Sequence, residues 1–212
     1  MDTKTLLDYL SMVSNKSLLL NLAMHLLVVL SIVTIHLTKA VRVRKYVFNS
    51  TLLLLFLSVT LKAGIYGNLF HAITFGTMVL VAIVVLIEDK RTLYVPKFNI
   101  QTIVSLLFIL LGLWYPEFVK ASTLEYFLVS PIGAIPCPTL ITVLGMLNLY
   151  YSSVQRNELI VIAFFGFVYG FIGTFKLGIL LDIILIGSVL FSIYNISSSR
   201  SILKRSRRFM PL

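Results

Sequence analysis

Apolar residues run along this chain in long blocks, and the charged residues collect in the short gaps between them. Seven blocks predict membrane-spanning helices: 17–37, 46–63, 69–87, 100–115, 138–151, 158–175 and 177–194. The expected length is about 20 residues, because ~30 Å of hydrocarbon must be crossed at ~1.5 Å per residue. The fifth block falls short of that unless Ile135 and Pro136 extend it. Six spans is therefore the alternative count, with 138–151 as a re-entrant segment.

The gaps also predict an orientation. Basic residues are retained on the cytoplasmic side of short connections. Most of the eighteen Lys and Arg residues fall in alternate gaps: Lys39, Arg42, Arg44 and Lys45, then Lys90, Arg91 and Lys97, then Arg156, and finally the tail. Lys4, Lys16, Lys62, Lys120 and Lys176 fall on the other side. The expectation is an outer N-terminus and a cytoplasmic C-terminus. Leu6, Leu7, Leu10 and Val13 recur at helical spacing ahead of the first block and predict a short interfacial helix.

Composition agrees with this pattern. Hydrophobic residues make up 58% of the 212, more than a water-facing surface tolerates. The expected architecture is all-α: one transmembrane domain over 1–212, with an outer interfacial segment (1–16), a helical bundle (17–194) and a basic cytoplasmic tail (195–212). A net charge of +10 could suggest nucleic acid, but the basic residues lie in loops and a tail beside lipid-length spans. Anionic lipid is the expected partner, at Arg200, Lys204, Arg205, Arg207 and Arg208, and nucleic acid is not. A membrane protein partner or a second copy of the chain is also compatible. The single cysteine, Cys137, permits no internal disulfide, and no cofactor is implied.

Few residues can carry chemistry. Asp182 is the one carboxylate inside a predicted span, and burial of a charge there calls for a reason. His25 lies within the first block and His71 begins the third. The predicted orientation places Asp182, His25, His71, Lys62 and Lys176 in the outer half, as either a polar pocket or a set of separate interfacial and structural groups. Gly166, Gly170 and Gly173 form a small-residue face expected to pack closely against the last span.

The segment 131–139 is the most unusual stretch. Pro136 and Pro138 are expected to hold Cys137 in an extended or turn conformation at a helix start, as an accessible thiol or as a small apolar filler. Tyr115-Pro116, Pro131-Ile132-Gly133, Pro136-Cys137-Pro138-Thr139 and Leu144-Gly145 together resemble a group of uncharacterised bacterial multi-spanning proteins, a domain of unknown function with a Pro-Cys-Pro-Thr signature. In that comparison, Leu140 stands where a second threonine is usual. The resemblance implies helical spans in a bacterial cytoplasmic membrane and brings no established activity.

Other readings fail on the residues themselves. A retinal protein needs a lysine deep in its last helix, whereas Lys176 sits at the mouth. No His-x-x-x-His pair, Gly-x-Ser-x-Gly elbow or paired intramembrane aspartate is present. The leading expectation is a site for a small solute, ion or proton formed by Asp182, His25, His71 and Cys137, with the metal question open. The alternative is a non-catalytic structural or assembly subunit presenting the glycine face of the sixth span and the lipid-facing Phe164, Phe165, Phe167 and Phe171. A lipid-active enzyme using Asp182 or Cys137 comes third.

Overall fold

The computed structural model describes residues 3–88 and 91–208, with side chains described as far as Ser198. Lys90 and the side chains of Arg200, Lys204, Arg205, Arg207 and Arg208 lie outside the described residues. In chain order the helices are α1 (Thr3–Asn15), α2 (Leu18–Leu37), α3 (Val41–Ile65), α4 (Leu69–Glu88), α5 (Ile100–Leu113), α6 (Tyr126–Val129), α7 (Pro136–Leu149), α8 (Arg156–Phe171) and α9 (Ile183–Arg208). No strand occurs among the described residues.

Five segments are long and apolar enough to cross a membrane: α2, α3, α4, α8 with its following turn, and α9 with the turn before it. Their outward faces carry large aliphatic side chains, such as Leu19 at 83% exposure and Ile87 at 76%. The interior holds Asn21, Thr142, Asn148, Ser188 and Ser192. That distribution suits a solvent of lipid, in which polar groups seek partners between helices.

The two remaining apolar helices, α5 and α7, have 14 residues each, or about 21 Å of helix. They pack against each other, and α7 also touches α3, α8 and α9. Every residue of α7 is buried, so its shortness leaves no helix surface facing lipid. Glycines permit the approach. A Cβ on Gly112 would lie 2.9 Å from the Thr142 nitrogen, and one on Gly145 would lie 2.9 Å from the Ile109 nitrogen. Both distances are too short for a real side chain, so α5 and α7 meet nearly backbone to backbone. Near their far ends, Asn148 Nδ2 donates to Ser192 Oγ at 2.7 Å and Asn195 Nδ2 donates to Asn148 Oδ1 at 2.8 Å, fastening α7 to α9.

Several boundaries differ from the sequence pattern, each for a local reason. The first gap is only 38–40, and Arg42, Arg44 and Lys45 ride on the opening turns of α3. The prolines stand at a helix start as expected, but the extended or turn conformation expected of Cys137 does not occur. Pro136, Cys137 and Pro138 form the first turn of α7, where backbone N–H groups have no intrahelical partner and proline is tolerated. Cys137 is thus helical and buried, not held in an extended turn. The last helix is not continuous from 177: a π-helical turn (Ile172–Lys176), Gly178 at φ +73 and a 3₁₀ turn (Leu180–Asp182) precede α9. Beyond Ser198 the helix continues to Arg208 through residues expected as a tail.

Candidate functional site

Asp182 closes the 3₁₀ turn and is fully buried. The chain reaches it by a reversal: Leu177 N–H donates to the Ile172 carbonyl at 3.0 Å, and Ile179 N–H to the Gly173 carbonyl at 2.9 Å. This folds the turn back onto the end of α8. The carboxylate then sits where a side chain on Gly173 would be. A Cβ there would overlap Oδ2 and lie 2.6 Å from Cγ. Gly173 is therefore the socket for Asp182. Gly166 and Gly170 face Val189 and Ile186 of α9.

Two donors converge on the carboxylate. Tyr115, just past α5, donates its hydroxyl to Oδ1 at 2.6 Å, and Cys137 in the first turn of α7 donates its thiol to Oδ2 at 3.1 Å. The placement of Cys137 depends on the turn before it. Thr139 Oγ1 accepts from Gly133 N–H at 2.8 Å and donates to the Ile135 carbonyl at 2.7 Å. Gly133 has φ +74, a backbone shape that glycine adopts freely, and its carbonyl accepts from Ser58 Oγ of α3 at 2.6 Å.

Beside this triad lies a cavity of about 460 Å³ bordered by Asp182, Cys137, Gly173, His71, Tyr169 and Lys176. Its wall is otherwise mostly apolar and aromatic, and Leu6, Tyr9 and Leu10 of α1 close one side. Asn15 Nδ2 holds α1 in place by donating to the Phe118 carbonyl at 2.8 Å. Elsewhere on the lining, His71 Nδ1 and Tyr169 Oη are 3.0 Å apart, and Tyr169 Oη lies 2.6 Å from Thr74 Oγ1. Lys176 is exposed at the rim, and the Lys62 ammonium stands 5.8 Å from the Tyr66 ring centre.

The cavity thus gathers Asp182, Cys137 and His71, three of the four residues singled out from the sequence, and leaves out His25. The His25 ring bridges backbone groups, with Nδ1 2.7 Å from the Asn21 carbonyl and Nε2 3.0 Å from the Leu113 carbonyl. It is a strut between α2 and the end of α5. Tyr115 and Tyr169 were not singled out as site residues, although a polar-tipped aromatic inside an apolar block was a usable signal. No group of three or more His, Cys, Asp or Glu side chains among the described residues is placed to hold a metal ion. Both Asp182 oxygens accept hydrogen bonds and the residue has no exposed surface.

No protein-family model, curated protein or solved structure matches the chain.

Proposed function

We propose that this is a seven-span protein of a bacterial cytoplasmic membrane, in the Pro-Cys-Pro-Thr group, with its N-terminus outside. On this reading it binds a small solute, ion or proton in the cavity beside Asp182. The observation that carries the reading is the coincidence of that cavity with the buried carboxylate of the chain's last apolar segment. Intramembrane ionisable groups mark substrate and ion pathways often enough to make this the default for such a site. The charge pattern supports an outer-half position for the cavity, and on that orientation the tail cations would face anionic lipid.

Flux in proteoliposomes tests the proposal. Asp182→Asn should abolish any pH-dependent solute or ion flux carried by the wild-type protein, whereas an active, unchanged variant would refute it. The assembly-subunit reading retains one supporting observation: Phe164, Phe167 and Phe171 are exposed along α8, while Phe165 is partly buried against the core. A stable larger complex purified from native membrane, with no flux by the isolated chain, would favour that reading.

A further inference from the structure

Resting on the cavity reading above, we propose that the bound solute is a lipophilic organic cation without hydrogen-bond donors, of the quaternary ammonium or phosphonium type. The charge balance of Asp182 is the starting point. Its partners are a hydroxyl and a thiol, and among the described residues no Lys, Arg or His nitrogen pairs with it. A carboxyl group removed from water either takes up a proton or is given a counter-cation, and two donors aimed at its oxygens favour the charged form. Here the fold supplies hydrogen bonds and leaves the counter-charge out, next to an open cavity.

The walls fit the same class of ligand. Tyr9, Phe70, Phe118 and Tyr169 line the cavity, and aromatic faces attract cations through their quadrupole, with quaternary ammonium ions the best known case. Lys62 already stands over Tyr66, so the chain itself places an ammonium against an aromatic ring at this mouth. A volume of about 460 Å³ lies within the ordinary range for small-molecule sites, roughly 300–1,000 Å³. Since Asp182 exposes no surface and both its oxygens are engaged, it would act on the ligand through space. A cation with no N–H group therefore loses nothing by being unable to donate.

Lys176 at the rim and Lys62 against Tyr66 both oppose this reading, because each brings a positive charge to the mouth. Neither is buried as Asp182 is, and that difference decides the comparison. At equal distance, a charge pair interacts in inverse proportion to the effective dielectric, about 80 in water and about 20 within protein, so a buried carboxylate outweighs an exposed ammonium roughly fourfold. Lys176 can also turn its head group to water or phospholipid.

Tetraphenylphosphonium and tetraphenylborate have the same shape and opposite charge, so their binding to the purified full chain in nanodiscs separates charge from apolar fit. Equilibrium dialysis should show saturable phosphonium binding at least about tenfold tighter than borate binding. Asp182→Asn should reduce that preference by about tenfold or more. Lys176→Gln should strengthen phosphonium binding severalfold. Tyr169→Leu should weaken it, and Tyr169→Phe, which keeps the ring, should restore it. The Tyr169 pair carries the test if Asp182→Asn does not purify as a single species. Equal or tighter binding of borate to the wild-type chain, or a charge preference that survives Asp182→Asn, would overturn the cation assignment and leave the cavity reading standing. Absence of saturable binding by either ion would overturn both.

Discussion

Replacing Gly173 by alanine adds one methyl group where the structure has placed a carboxylate. The new Cβ would lie 2.6 Å from Asp182 Cγ and 3.0 Å from its Cβ, whereas ordinary contact begins near 3.4 Å. Asp182 must therefore withdraw by most of an ångström, and the bonds from Tyr115 and Cys137 cannot both survive. Hydrogen bonds to a charged group contribute about 1.5–3 kcal/mol each. With a thiol as one donor, the two together are worth about 3 kcal/mol, and overpacking adds roughly 1–3 kcal/mol. In a chain of this size 1 kcal/mol lowers Tm by roughly 2–4 °C, so a fall of roughly 10 °C is expected. Cys137 is the sole cysteine and is buried, so thermal unfolding can be followed by its reaction with a fluorogenic maleimide. Gly64→Ala is the control: Gly64 lies in α3, and a methyl group added there would meet nothing within 4 Å. That helical Gly→Ala change should be neutral or stabilising by up to ~1 kcal/mol. Equal melting of Gly173→Ala and Gly64→Ala would refute the socket.

Other perturbations follow from the same geometry. Tyr115→Phe keeps the ring but removes the hydroxyl from Asp182, and should cost about 1.5–3 kcal/mol in the same maleimide melt. Thr139→Val leaves the Gly133 N–H without its acceptor, a loss of about 1–3 kcal/mol, and should speed maleimide reaction of Cys137 at fixed temperature. At the exposed loop before α6, Glu125 Oε2 accepts from Ser122 N–H at 2.7 Å, and bonds from Ser122 hold its carboxyl below the usual 4.5. Its folded pKa is depressed, so its contribution is present above the unfolded value and is lost as pH falls through the lowered folded one. The protection of the Ser122 N–H, taken relative to the intrinsic exchange rate at each pH, should fall over that acid range in the wild type and show no such dependence in Glu125→Ala.

Much of the helical framework was legible because an apolar block of a given length has few other fates. What lay between helices was less so. In lipid, a surface-facing leucine and a core leucine read alike, so nothing in α7 announced that all of its residues would be buried. Asp182 and Cys137 were conspicuous singly, but they are 45 positions apart, and only the reversal through the π-helical turn brings them into contact. His25 marks the opposite limit. A histidine in a span looks the same whether it faces a cavity or lies between two backbone carbonyls, and the decisive Leu113 carbonyl is 88 positions away. Gly173 was recognisable as a small residue for packing, yet its neighbour proved to be a carboxylate as well as a helix.

An Asp182 cavity at an outward-facing end of the bundle is the central claim, and vectorial labelling tests it most directly. In a Cys137→Ser background, Lys176→Cys at the cavity rim and Arg42→Cys on the first turn of α3 can each be exposed to a membrane-impermeant maleimide in intact cells. Position 176 should label from outside, more slowly in the presence of a saturating cavity ligand, and position 42 should label only after permeabilisation. The reverse pattern would contradict the outward placement.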